Sequence, residues 1–144
     1  YTRSEHVLSL LEKGAQALVS KQTRIGFFPS FMLRDEAPED RVDRGWLDIQ
    51  TDAVEVLLKT YSLTQNRVYL DASRKCIDSV IEKLSRNYGY IEYFDIQSGA
   101  NIFQHHKVFT KFICLFTKAL LLLSEVIDGG DLYQDDLVVL SGDR

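Results

Sequence analysis

The sequence predicts an all-α chain of antiparallel helical hairpins, interrupted by one short extended or hairpin segment near residues 88–97. Three observations carry this prediction. Apolar residues recur at three- and four-residue steps along most of the chain, the period of a helix with one buried face. The link between two of these periodic segments is only four residues long, which favours antiparallel neighbours. Only one stretch, Asn87 to Gly99 (NYGYIEYFDIQSG), has the aromatic and β-branched density of a strand.

The first helix starts at Ser4, a residue suited to N-capping, and runs for about 17 residues. Val7, Leu8, Leu11, Ala15, Leu18 and Val19 form its buried face. Gly26, Pro29 and Pro38 bracket an irregular region from Thr23 to about Gly45, whose centre, LRDEAPEDRVDR, is a mixed-charge run without periodicity. It reads as a solvated loop or as a rim touching a polar ligand.

A second helix begins between Asp48 and Asp52. Its wide apolar face (Ala53, Val54, Val56, Leu57, Leu58, Tyr61) marks it as an inner helix touched on two sides. Leu63-Thr64-Gln65-Asn66 turns the chain into a third helix. There Val68, Leu70, Ala72, Cys76, Ile77, Val80, Ile81 and Leu84 oppose a polar, solvent-facing side. After the extended segment, a fourth helix runs from about Phe103 to Ile127 and is stopped by Asp128-Gly129-Gly130. A short acidic tail, Leu132 to Leu140, follows.

Composition narrows the function. A chain of 144 residues fits one domain, 1–144, with a real core. Seventeen Lys and Arg against 21 Asp and Glu give a net charge of −4, which argues against a dedicated nucleic-acid binder. The stretch Phe112 to Ile127 is shorter than the roughly 20 apolar residues of a membrane span. It also carries Lys118 and Glu125, in line with Lys111 at seven-residue steps, so it reads as a core helix with one thin solvated or partner-facing edge. No membrane partner is expected. Cys76 and Cys114 lie far apart in apolar stretches and read as two buried free thiols. No targeting pattern precedes the first helix, and the chain reads as a mature, trimmed or excised piece.

Tyr61 to Ser73 reads YSLTQNRVYLDAS. It resembles the phrase "aromatic, x, Leu-Thr, polar pair, Tyr-Leu, small residue" that joins inner and outer helices in the α/α-toroid proteins, the six-hairpin, glycosidase-like folds of sugar-processing enzymes. Thr64 and Asn66 can cap and turn the backbone, Tyr69 and Leu70 wedge between the paired helices, and Ala72 permits close approach. The preceding GWLDIQTDAVEVLL is similar to a toroid inner helix, and GYIEYFD to the loop that returns from an outer to an inner helix. The resemblance spans about Arg44 to Val126. With two to three hairpins where a closed toroid holds six, it implies a terminal part of a larger enzyme, a divergent small relative, or one half of an assembly. Self-association or a partner chain completing the ring would follow.

The resemblance implies a cleft where inner helices begin and long loops gather. That end collects Trp46, Asp48, Gln50 and Asp52, then Tyr88, Tyr90, Glu92, Tyr93 and Asp95, then Gln104, His105, His106 and Lys107. Aromatic faces beside carboxylates suit a sugar, and paired carboxylates suit acid/base cleavage of a glycosidic bond. The candidate catalytic residues are Asp48, Glu92 and His105, and the candidate substrate-binding residues are Trp46, Asp52 and Tyr90. Each has a structural alternative. Asp48 and Asp52 suit a helix first turn, Trp46 a core plug, Glu92 and Asp95 a hairpin's polar face, and His105 a packed or capping role.

His105 and His106 point about 100° apart on a helix, and no third ligand stands at zinc-like spacing, so neither a metal nor another cofactor is expected. The implied activity is that of a glycoside hydrolase, lyase or sugar epimerase-like protein. The alternative is a non-catalytic helical scaffold that pairs with another chain.

Overall fold

The computed structural model describes residues 3–30, 44–87, 89–102 and 110–129, and they are mostly helical, as the periodicity predicts. In chain order these are α1 (Arg3–Lys21), β1 (Arg44–Trp46), α2 (Leu47–Thr64), α3 (Arg67–Ser79), a π-helical turn (Val80–Leu84), β2 (Ser85–Arg86), β3 (Gly89–Tyr90), β4 (Tyr93–Asp95) and α4 (Thr110–Ile127). The mixed-charge run before Arg44, the start of the fourth helix before Thr110 and the acidic tail lie outside the described residues.

Helix α2 is the inner helix, packed against α1, α3 and α4. It buries Leu47, Ala53, Val54, Leu57 and Leu58, which meet Tyr69, Leu70, Cys76, Ile77 and Val80 from α3 and its continuation. The link to α3 is as the sequence predicts. Gln65 takes a left-handed conformation (φ 57°) and its N–H closes on the Tyr61 carbonyl, while the Asn66 side chain accepts the Val68 N–H at 3.2 Å. The expected third helix does reach Leu84, but its last turn widens to π geometry.

Three expectations need correction. Ser4 lies inside α1, one residue after its start, rather than capping it. Only the C-terminal half of the α1 face is covered: Ala15 is fully buried and Leu18 and Val19 are partly so, whereas Val7 and Leu10 are more than half exposed. Helix α4 is not a core helix with one thin edge. It buries Phe112, Phe116 and Ala119 against its neighbours and leaves Cys114 and Leu121 in solvent beside Lys118 and Glu125. Cys114 is therefore an exposed thiol, whereas Cys76 is buried as expected. The physical reason is that, among the described residues, α2 is the main helical cover of α4. Among the described residues no helix is long and apolar enough to cross a membrane.

The expected extended segment divides its pairing between two partners. Gly89–Tyr90 folds back on Ser85–Arg86, and Tyr93–Asp95 pairs antiparallel with Arg44–Trp46 in the register Arg44↔Asp95, Gly45↔Phe94, Trp46↔Tyr93. Gly45 allows this second pairing, because a Cβ there would sit 2.4 Å from the Phe94 ring. The chain after α1 is pinned by side chains. Gln22 donates to the carbonyls of Gly26 and Ala72, both at 2.8 Å, and Ser79 donates to the Ile25 carbonyl. Gly26 has φ 109° and lies so close to Lys75 that its Cβ would meet the Lys75 carbonyl at 2.6 Å. Phe27 then packs on Phe94 with ring centroids 4.5 Å apart.

Candidate functional site

The candidate site lies where β1 runs straight into α2. Trp46 is extended (φ −118°, ψ 137°) and the next residue is already helical, so the first free N–H groups of α2 emerge beside a strand. One of them, on Leu47, donates to the Glu92 carbonyl at 2.9 Å, which ties the bend before β4 to the helix start. Below this junction Gln50 is almost completely buried. Its Oε1 accepts the Phe28 N–H at 2.7 Å, and its amide donates to the carbonyls of Phe28 (2.8 Å) and Trp46 (3.2 Å). Gln50 is thus a framework clamp rather than a cleft-lining group. Ser30 adds a second tie by accepting the Trp46 N–H at 3.0 Å.

On this frame the β1–β4 register sets Trp46 edge-on to Tyr93, with centroids 4.8 Å apart and planes at 80°. Trp46 stays 36% exposed, enough to present one face of the indole, so the core-plug alternative does not describe it. The Glu92 carboxyl hydrogen bonds to the Tyr93 phenol. Partial burial raises the Glu92 pKa above the ordinary carboxylate value, and the Asp48 charge adds to the rise. The Tyr93 bond and the Lys111 ammonium oppose it. Burial also pushes Asp52 upward, reinforced by Asp48 and Glu55 and partly offset by Lys118 and Lys111.

Glu55, one turn further along α2, behaves differently. It is bonded to Lys118 at 2.6 Å and to Lys59 at 2.7 Å, and these contacts hold its carboxyl below the usual range. The result is a row of acids at the start of α2 and the adjoining bend, in which Glu55 is neutralised by bonded lysines while Asp52 and Glu92 each feel the charge of Asp48.

The structure separates the sequence candidates. Trp46, Asp48, Asp52 and Glu92 come to one end of α2, together with Tyr93 and the lysines of α4. Asp48 is the first-turn acid and its Oδ1 accepts the Ile49 N–H at 2.8 Å, so it has a helix-start role whatever else it does. Asp52 is the sixth residue of α2, too far along to cap the helix. Tyr90 sits half-buried, its ring edge-on to Phe116 at 4.6 Å, where it docks α4. Asp95 organises a turn, its Oδ1 accepting from the Gln97 N–H and from both the N–H and hydroxyl of Ser98. Tyr88, Gln104, His105, His106 and Lys107 lie outside the described residues.

The sequence places Tyr93 at the cleft end but assigns it no role, because its partner, Trp46, is 47 positions away along the chain and no local pattern joins them. Among the described residues no group of three His, Cys, Asp or Glu side chains is placed to hold a metal ion. Comparison with known protein families, characterised proteins and solved structures returns no match for this chain.

Proposed function

We propose that the chain is a carbohydrate-processing protein, or part of one, acting at the β1–α2 junction in the manner its α/α-toroid resemblance suggests. The observation that supports this reading best is the partly exposed Trp46 indole, braced by Tyr93, beside the carboxylates of Asp48, Asp52 and Glu92. Sugar C–H faces stack on such a ring while hydroxyls bond to acids. In this reading Glu92, whose pKa is raised by partial burial, is the acid that serves the leaving group, and Asp48 is its acid/base partner. Trp46 and Asp52 bind the ring, Tyr90 supports the wall through Phe116, and His105 is the further acid/base candidate.

The test is a reducing-end assay on neutral oligosaccharides of several linkages. Asp48→Asn and Glu92→Gln are each expected to lower turnover by at least ~100-fold while leaving the melting temperature unchanged or raised. Retained turnover in both variants overturns the assignment, as does the absence of both turnover and any sugar-induced change at Trp46.

A second reading, a non-catalytic helical scaffold, is favoured by one observation, the exposure of Val7, Leu8 and Leu10 on α1. It predicts no turnover and a partner-dependent assembly. Light scattering on the wild type and on Leu10→Asp tests this: an assembly that the substitution dissociates supports the scaffold, and an unchanged monomer counts against it.

A further inference from the structure

Tyr93 occupies a position that the proposed chemistry does not use directly. It touches both halves of the site: its ring edge supports the Trp46 indole at 4.8 Å, and its phenol bonds to the Glu92 carboxyl. The backbone fixes both contacts. Trp46 and Tyr93 face each other in the β1–β4 ladder, and Glu92, the residue before Tyr93, is held by its carbonyl to the first N–H of α2. A side chain caught between two fixed partners in this way transmits a change at one of them to the other.

We propose that Tyr93 is a positioning residue that couples the Glu92 carboxyl to the Trp46 ring, so that the acid and the stacking face move as one unit. When Glu92 is ionised, the phenol donates to it and the tyrosine ring stays against the indole. When Glu92 takes a proton, that bond weakens and the brace on Trp46 relaxes, so the stacking face reports and follows the protonation state of the acid. Among the described residues, the groups facing Glu92 are Tyr93 from β4, Asp48 from the first turn of α2 and Lys111 from the first turn of α4. Asp48 opposes ionisation, and Lys111 and the phenol favour it. This inference rests on the reading of this junction as the functional site, but its physical content is tested without any sugar.

The chain has a single tryptophan, so intrinsic fluorescence reports Trp46 alone. An acid titration of the full chain is expected to show one emission transition at Trp46 below neutral pH. Glu92→Gln should abolish it. Tyr93→Phe, which keeps the ring and removes the donor, should abolish it as well, because the phenol bond is the link between the acid and the ring. Asp48→Asn should keep the transition and move its midpoint to lower pH, because the lost negative charge had opposed ionisation of Glu92.

A purely structural tyrosine would change the melting temperature in Tyr93→Phe and leave the Trp46 transition in place, and that result overturns the proposal. So does a transition that survives Glu92→Gln. The same titration repeated with a neutral oligosaccharide separates the two readings. Coupling without any sugar effect retains the positioning role and removes the carbohydrate assignment, whereas a sugar effect without coupling does the reverse.

Discussion

Replacing Gln50 with Met removes the clamp under the site while nearly conserving side-chain volume, so the cost is polar and calculable. Phe28 is 1% exposed, and its N–H and carbonyl both bond to Gln50. Leaving each of these unpaired costs about 1–3 kcal/mol, and the longer bond to the Trp46 carbonyl adds about 0.5 kcal/mol. The expected loss is therefore about 2.5–6.5 kcal/mol, a large share of the roughly 5–15 kcal/mol that holds a domain together. In urea, with a slope of about 1.5 kcal/mol/M, the unfolding midpoint should fall by roughly 2–4 M while the slope stays unchanged. Trp46 emission should shift to the red in the still-folded protein, because its carbonyl anchor is gone. A loss below about 1 kcal/mol would refute the reasoning, since it would mean that water reaches the Phe28 backbone and the clamp is dispensable.

Gly45→Ala should destabilise by about 1–3 kcal/mol, because its Cβ meets the Phe94 ring at 2.4 Å and Ile96 at 2.7 Å. Gly14→Ala, with open space around it in α1, should stabilise by about 0.5–1 kcal/mol, and thermal melts of both variants check the pair. A disulfide-exchange dye should label Cys114 in the folded chain and reach Cys76 only on unfolding, because burial pushes the Cys76 thiol far up and keeps it protonated. Asp95 contributes stability above its unfolded pKa of about 4, and loses it as pH falls through its lowered folded value, so Asp95→Ala should flatten the acid limb of a stability–pH curve. Glu92 has the opposite sign. Its raised pKa gives a contribution present at low pH and lost as pH rises through the folded value, so Glu92→Gln should remove that decline.

The helices were legible in the sequence because their causes are local. The 3.6-residue period, the Asn66 cap and the left-handed Gln65 turn all lie within a few residues of the structure they produce. What the sequence could not supply was which apolar faces find cover. Val7 and Ala15 belong to one periodic face of α1, yet one is 59% exposed and the other 0%, because burial depends on what stands opposite. The same holds for Cys114, whose apolar neighbours implied a buried thiol although, among the described residues, nothing covers its face of α4. Hydropathy records a residue's preference, and the tertiary arrangement decides whether it is met.

For the candidate site, the residue types were legible and their geometry was not. Trp46, Asp48, Asp52 and Glu92 could be picked out as residue types gathered near a helix start. Tyr93 could not be assigned, because its role depends on a ladder between segments almost fifty residues apart. The same junction explains why two of the acids stay only partly compensated. Glu55 lies one turn further from the junction, within reach of Lys59 and Lys118, and its charge is matched. Asp52 and Glu92 are held where the strand, the helix start and the bend converge, and their partial burial and the shared charge of Asp48 outweigh the more distant lysines. A framework clamped by Gln50 and Ser30 is what keeps such groups together. This is why removing a carboxylate should leave the fold intact or firmer, whereas removing the clamp should weaken both the fold and the site.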